Sequence, residues 1–168
     1  MSKRALTYGL IAACMMALFT LSGLMVMGRN FDYAQAEIFR YLSLLLCMIS
    51  VFLGIRSLRE HLGGELSFMQ GMGIGTQISL VAALLFGLFT LALYAVTGYP
   101  QQLYESATVF VQKNAGSPEA AAAALARMEA QKMLYTDPLT NGLTMVATVF
   151  PIGMMVTAIS AFLLKQKA

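Results

Sequence analysis

Four long stretches without charge constrain this 168-residue chain more than any other feature. No Asp, Glu, Lys or Arg occurs in residues 5–28, 41–55, 66–104 or 138–164. Apolar, charge-free runs of about 18 residues or more are typical of membrane spans, since about 20 helical residues cross the hydrocarbon. Only 11% of the residues are charged, against about 25% in soluble domains. We therefore predict an all-α membrane protein with four transmembrane helices.

The predicted spans form one membrane domain, and their ends carry capping signals. Gly63 is placed to end the second helix, because glycine adopts the left-handed C′ conformation without strain. Ser67 and Gln70 have the spacing of a capping box, which predicts the start of the third helix. Asn30 or Asp32 can cap the second helix. The four spans are predicted at about 6–28, 38–58, 67–97 and 139–164.

The second span has the shortest apolar part of the four. This part, 41–55, holds about 15 residues, and the helix becomes long enough to cross only when counted from Ile38 to Leu58. Arg40 and Arg56 would then reach outward from its two ends by snorkelling. By length alone the same stretch could form a buried or interfacial helix, so both alternatives stay open.

Residues 100–137 differ in character from the spans around them. Leu103 and Phe110 lie seven residues apart, as on one apolar face of an amphipathic helix. Ser117 and Pro118 then give a helix start, with a capping hydroxyl followed by proline at the first helical position. We predict an extracytoplasmic helical hairpin between the third and fourth spans.

Small residues recur at every fourth position of the third predicted helix. In a bilayer such a stripe lets another helix approach closely, because small side chains keep the two backbones near one another. We predict that this face is a helix-packing seam, against another span or against a partner. Its members are Ser67, Gly71, Gly75, Ser79, Ala83 and Gly87.

Polar side chains inside the spans are the candidates for an intramembrane site. Most are Ser or Thr, whose hydroxyls can bond to carbonyls of their own helix and so need no function. Gln77 is singled out, because a carboxamide at mid-membrane needs a partner, and an interhelical hydrogen bond is expected. With Pro151, which should kink the fourth span, it marks a candidate polar site. The other polar residues are Gln70, Thr76, Ser79, Thr90, Asn141, Thr144, Thr148, Thr157 and Ser160.

The basic residues indicate the orientation of the chain. With four spans, six basic residues lie on one side within about 20 residues, and five lie on the other within about 53. The positive-inside rule then predicts both termini in the cytoplasm and the hairpin on the outer side. For a bacterium the outer side is the periplasm, and the chain is then a multi-pass inner-membrane protein. The anchors of the first side are Lys3, Arg4, Arg56, Arg59, Lys165 and Lys167.

The chain shows few groups that could carry chemistry. His61 is the single histidine, and no Cys or second His stands beside it at metal-ligand spacing. Cys14 and Cys47 lie in apolar runs, where cysteine behaves as a small hydrophobe. No nucleophile and base pair is visible, and no dense Lys/Arg run suggests nucleic acid. We expect a protein that is not an enzyme, binds no cofactor or metal, and carries no intramembrane proton relay.

Several short motifs resemble a bacterial family of unknown function, the domain of unknown function numbered 4199, found largely in Bacteroidetes. The resemblance would cover almost the whole chain. It implies a four-helix membrane protein with an extracytoplasmic helical insert between the last two spans, and it implies no activity, ligand or catalytic residue. The motifs are Gly54-Ile-Arg56-Ser-Leu-Arg59, Gly63-Gly64-Glu-Leu-Ser67-Phe68, Gly71-Met-Gly73-Ile-Gly75, Tyr135-Thr-Asp-Pro138 and Pro151-Ile-Gly153.

The function expected from these features is that of a structural or accessory subunit. Its seam and hairpin would contact membrane lipids and a membrane or periplasmic protein, or a second copy of the chain. The alternative is a transporter or channel for a small molecule or lipid. Its site would lie between the third and fourth spans, near Gly75, Gln77 and Pro151.

Overall fold

The computed structural model describes residues 2–27 and 33–165, and within those ranges the chain is helical with no strand. The all-α class is therefore confirmed. The helices are α1 (Lys3–Met27), α2 (Tyr33–His61), α3 (Phe68–Val96), α4 (Tyr99–Asn114), α5 (Pro118–Ala130), α6 (Lys132–Thr136) and α7 (Pro138–Leu164).

Four helices, α1, α2, α3 and α7, are long and apolar enough to cross a membrane. This confirms the predicted four-span architecture. α2 has 29 residues, which at 1.5 Å per residue gives about 43 Å, against about 30 Å of hydrocarbon. The second span is thus long enough to cross, because polar residues extend its short apolar part at both ends. The predicted caps Asn30 and Asp32, and the predicted end of the first span at residue 28, lie outside the described residues.

The turn between α2 and α3 follows the predicted capping signals. Gly63 and Gly64 have φ of 70° and 99°, the left-handed region that glycine adopts without strain. The backbone N–H of Ser67 donates to Gln70 Oε1 at 3.0 Å, and the Gln70 N–H donates to Ser67 Oγ at 3.2 Å. These reciprocal bonds form the capping box, so the start of α3 is fixed by its own sequence.

The bundle is organised around α3. It runs antiparallel to α7 in the most extensive helix contact of the molecule, and α1 packs against both α2 and α3. Side chains from all four long helices meet in one apolar core, and α2 also touches α7. Core members with little or no exposure include Met16, Val51, Ile55, Ile78 and Val149.

The segment between α3 and α7 is helical, as predicted, but its second helix is broken. α5 ends at Ala130, and the short α6 begins at Lys132. At the break the Gln131 N–H is shared between the carbonyls of Arg127 and Met128, which ends the regular bonding of α5. α4 and α6 pack on the bundle, while α5 packs mainly on α4 and α6.

Candidate functional site

The stripe of small residues on α3 faces the chain's own α7. A Cβ added at Gly71 would lie 2.8 Å from Ala161 Cβ. A Cβ added at Gly75 would lie 2.5 Å from Thr157 Cγ2. Contacts this short do not occur between real Cβ atoms, so only glycine allows the two helices to sit this close.

The same register continues toward the other end of the seam. A Cβ added at Gly153 would lie 2.7 Å from Ser79 Cβ, and one added at Gly87 would lie 2.9 Å from the carbonyl oxygen of Gly142. Ser79 and Thr157 are fully buried, and their hydroxyls are 3.4 Å apart as a hydrogen-bonded pair. The seam therefore has no free space and satisfies its own polar groups.

The first residue of the predicted stripe behaves differently from the rest. Ala83 is fully buried, like the glycines around it. Ser67 precedes the helix as its N-cap and is exposed, so it does not take part in the seam. The small-residue face is thus occupied within the monomer and is not available to a partner.

The structure does not bring Gln77 and Pro151 together. Gln77 is half-buried, and its Oε1 accepts a hydrogen bond of 3.0 Å from the Ser2 N–H at the start of α1. Pro151 is exposed on the outer face of α7. The reason is helical geometry: each lies two residues from a seam glycine, Gly75 or Gly153, and is rotated by about 200° away from the interface.

The basic anchors that the structure describes lie at the end of the bundle where Gln77 is found. Lys3 and Arg4 line an open groove of about 520 Å³ together with Gln77. Arg56 forms an exposed ion pair with Glu60 at 2.9 Å. Three anchors remain. Arg59 donates to the Gly64 carbonyl at 3.1 Å, Lys165 lies 4.2 Å from the ring centroid of Phe162, and Lys167 is outside the described residues.

A cavity of about 240 Å³ lies at the opposite end of the bundle, between the four spans and beneath α4 and α6. A single buried water needs only about 10–15 Å³, so the space can admit a chemical group much larger than water. We call this cavity the outer pocket. Its walls are Thr20, Leu24, Ala36, Phe39, Arg40, Ser43, Phe86, Thr90, Leu93, Tyr94, Tyr99, Leu103, Leu134, Asn141, Thr144 and Met145.

Each long helix contributes one face to the outer pocket. On α2, Ala36, Phe39, Arg40 and Ser43 follow the spacing i, i+3, i+4, i+7, so they lie on one side of the helix. α3 contributes residues between 86 and 94 with the spacing i, i+4, i+7, i+8, which also lie on one side of a helix, and α7 contributes 141, 144 and 145. The pocket is therefore a product of helix packing and not of an irregular loop.

The four Ser and Thr residues of the outer pocket use their hydroxyl hydrogens on their own helices. The donor and acceptor oxygens are 2.7–2.9 Å apart in all four bonds. Each hydroxyl oxygen keeps its lone pairs, so toward a ligand it acts as an acceptor. The bonds run from Thr20 to Met16, Ser43 to Arg40, Thr90 to Gly87 and Thr144 to Thr140.

Asn141 is the most unusual polar group of the outer pocket. It is 5% exposed, and its Nδ2 donates a long hydrogen bond of 3.4 Å to the Leu134 carbonyl. Its Oδ1 is buried and accepts no hydrogen bond from any residue in the described part of the chain. An unsatisfied buried acceptor costs about 1–3 kcal/mol, so the pocket wall holds a group that folding alone does not explain.

Aromatic rings and one positive charge complete the outer pocket. The rings of Tyr94 and Tyr99 meet edge to face, with centroids 5.6 Å apart. The Arg40 guanidinium carbon is 5.6 Å from the centroid of the Tyr41 ring. Burial raises the pKa of Tyr99, and the charge of Arg40 opposes that rise. The Tyr99 hydroxyl therefore stays protonated at neutral pH, and the wall is polar with one cationic side.

The outer pocket carries groups that can bind a polar molecule. Its lining contains amide, hydroxyl, phenol and guanidinium groups, which can orient a polar group by hydrogen bonds. Across residues 2–27 and 33–165, no three His, Cys, Asp or Glu side chains group together as metal ligands.

The outer pocket is not evident from the sequence. There Asn141 is one of several polar residues inside the spans, Arg40 is placed to snorkel at a span end, and Gln77 is the polar residue that stands out. The chemical type of the Asn141 side chain was the signal that could have identified it. A Ser or Thr hydroxyl in a helix is satisfied by one carbonyl, whereas the carboxamide of Asn141 needs both a donor and an acceptor that a helix cannot supply.

Comparison with known proteins gives one match. The model of a family described as a protein of unknown function, DUF4199, matches residues 7–166, which is nearly the whole chain. No curated protein and no solved structure gives a significant match.

Proposed function

The chain belongs to the DUF4199 family, and we propose that it is a membrane protein that binds the polar end of a small amphiphilic molecule in the outer pocket. This places it in the class of small-molecule or lipid-handling proteins. The site differs from the one expected from the sequence, because Gly75, Gln77 and Pro151 do not line the cavity.

The buried, unsatisfied Oδ1 of Asn141 carries this proposal. Native proteins satisfy most buried polar atoms, and the exceptions call for a ligand, a water or a functional reason. Asn141 lines a cavity of about 240 Å³ whose other polar groups converge from separate helices. Ligand pockets are mostly apolar with a few placed polar groups, and they occur between the helices of bundles.

An apolar neighbourhood supports an amphiphile as the ligand. Phe86, Leu93 and Met145 line the same cavity as Asn141, and the bundle outside it presents apolar side chains. A molecule with one polar end and one apolar end can therefore place the first among the acceptors and the second among these side chains or in lipid.

Location and orientation form part of the proposal. The anchors Lys3, Arg4, Arg56 and Arg59 gather at one end, and the positive-inside rule favours that end for the cytoplasm. The outer pocket and the α4–α6 segment would then face the periplasm of a bacterial inner membrane. Ser117→Cys, in a chain without Cys14 and Cys47, should react with an impermeant thiol reagent from the periplasmic side. Labelling from the cytoplasmic side alone would reverse the orientation.

Retention of an amphiphile tests the binding role. Ala36→Phe places a ring in the pocket from α2, and Leu45→Phe places the same ring on the exposed side of α2 as a matched control. Protein purified in mild detergent should carry a bound small molecule in native mass spectrometry. Ala36→Phe should lose it, and Leu45→Phe should retain it. Equal retention by both variants would place the molecule elsewhere on the surface.

A structural or accessory role is the second candidate, and it is favoured by α5. The seam is closed by α7, so a partner would need another surface. α5 packs mainly on α4 and α6 and leaves much of its length exposed. Crosslinking from Ala122→Cys on α5 in whole cells tests this role. A specific crosslinked protein would support it, and the absence of any product would count against it.

A further inference from the structure

Hydroxyl groups that have already used their own hydrogens line the outer pocket, beside the donors of Arg40, Tyr94 and Tyr99. Four hydroxyls already donate to carbonyls of their own helices, and the Asn141 amide nitrogen donates to Leu134. The four hydroxyls can therefore offer a ligand only lone pairs, and Asn141 keeps an acceptor on Oδ1. The free carboxamide oxygen of Asn141 is the strongest of these acceptors.

We propose that the outer pocket selects a head group that carries hydroxyl donors, and that Asn141 Oδ1 accepts the first of these hydrogen bonds. This inference rests on the proposed binding function and adds the chemical class of the ligand. A head group without donors would leave Asn141 unsatisfied, and sites built this way discriminate strongly against such analogues.

A second acceptor lies close to Asn141 on the same helix. Thr144 follows it by three residues, so both side chains lie on one face of α7 and line the cavity. Thr144 Oγ1 donates to the Thr140 carbonyl at 2.7 Å and can accept from a ligand. Two neighbouring acceptors on one helix face suit a head group with two hydroxyls on adjacent carbons.

A matched pair of lipids tests the donor requirement. Phosphatidylglycerol and phosphatidylpropanol with the same acyl chains have the same charge and differ only by two hydroxyls, so any contribution of Arg40 to anion binding cancels. The protein is titrated with each lipid in an amine-oxide detergent, whose head group has no donors, and bound lipid is counted by native mass spectrometry. We expect phosphatidylglycerol to bind about tenfold more tightly, the worth of about one good hydrogen bond.

Two variants assign the preference to particular atoms. Asn141→Leu, of similar volume, should reduce the preference from about tenfold to the two- to threefold that Thr144 supplies. Thr144→Val keeps the shape of the side chain and removes a single acceptor, so it should fold in any case and reduce the preference two- to threefold. A preference that survives Asn141→Leu unchanged would overturn the assignment to Asn141.

A soluble pair separates a lipid ligand from a free head group. Glycerol 1-phosphate and propyl phosphate carry the same difference in hydroxyls without acyl chains. A tenfold preference for the member with hydroxyls, in either pair, supports a ligand that carries hydroxyl donors. The pair that binds shows whether that ligand is a lipid or a free head group. Equal binding of both lipids that Ala36→Phe abolishes would overturn the donor class while the binding function stands. If no probe shows binding that is sensitive to Ala36→Phe, both the donor class and the binding function are wrong.

Discussion

α3 and α7 build two regions of opposite character, the seam and the outer pocket. In the seam, glycines such as Gly75 let the two backbones meet, and the buried hydroxyls of Ser79 and Thr157 pair with each other. In the outer pocket, the same two helices leave a cavity of about 240 Å³ and a buried acceptor on Asn141 without a partner. The two regions therefore differ in whether their buried polar groups are satisfied.

The difference indicates where the chain gives up stability for function. Without a hydrophobic driving force between spans, helices in lipid associate by close packing and hydrogen bonds, which the seam provides. The outer pocket provides neither at Asn141. Natural sequences break local rules mainly at functional sites, so this difference supports the proposed binding role of the outer pocket, while the seam holds the fold together.

Filling the seam should have the largest effect of any test. Gly75→Leu forces side-chain atoms into Thr157 and Ile55, the two closest neighbours of an added Cβ. Overpacking typically costs about 1–3 kcal/mol, and this site has no space on either side, so about 3 kcal/mol of unfolding free energy should be lost. Gly73→Leu is the matched control on α3, since nothing lies within 4 Å of a Cβ there.

Unfolding in mixed detergent micelles, followed by circular dichroism, gives both free energies. Equal destabilisation by Gly75→Leu and Gly73→Leu would show that the loss comes from the helix itself. The seam would then not be the main packing contact.

Removing the Asn141 carboxamide from the outer pocket should raise the free energy of unfolding, which is opposite to the effect of filling the seam. Asn141→Leu replaces an unsatisfied carboxamide with an apolar side chain of similar volume in a site lined by Phe86 and Met145. Without ligand, the variant should be about 1–2 kcal/mol more stable, because the desolvation cost of Oδ1 disappears. The measurement is unfolding free energy in the same micelles. A destabilised, ligand-free variant would mean that Asn141 has a structural role.

The seam could be predicted from the sequence because its signal is local. Small residues at every fourth position predict a packing face without knowledge of the fold, and the capping box at Ser67 fixes where that helix starts. The outer pocket could not be predicted from the sequence, since it depends on which faces of four helices converge. Asn141, Arg40 and Tyr94 lie more than 45 residues apart along the chain and share no motif.

The partner of the seam depends on tertiary packing in the same way. The stripe alone allowed another span or a different protein, and only the assembled bundle places α7 against it. Gln77 was singled out by its residue type, but its position relative to the start of α1 places it beside a backbone N–H that satisfies it.

A smaller loss is expected when the hydroxyl pair of the seam is broken. Thr157→Val is nearly isosteric and removes only the bond to Ser79, which is 3.4 Å long. Hydrogen bonds between spans average about 0.6 kcal/mol, so the loss should be of that size. Thr148→Val on the same helix is the control, because the exposed Thr148 bonds only to the Thr144 carbonyl. If both variants lose the same amount, the pair across the seam contributes nothing.

The smallest effect is expected when the pH is lowered, and it should arise outside both the seam and the outer pocket. Neither the seam nor the lining of the outer pocket contains Asp, Glu or His, so both should be unchanged between pH 7 and about 4. The group that should respond is Glu129 on α5. Hydrogen bonds from the Tyr104 hydroxyl and from Lys132 lower its pKa below the usual value.

Because the folded pKa of Glu129 is lowered, its carboxylate favours docking of α5 on α4 above the usual Glu pKa of about 4.3. That contribution is lost as the pH falls through the folded pKa. A spin label on Ala126→Cys, in a chain without Cys14 and Cys47, should become more mobile in that pH range. Glu129→Gln lacks the charge at every pH, so its label should be mobile at pH 7 and should not change on acidification. If the mobility of the label still changes with pH in Glu129→Gln, another group causes the transition. Loss of the amphiphile in the same pH range would show that the outer pocket depends on α5.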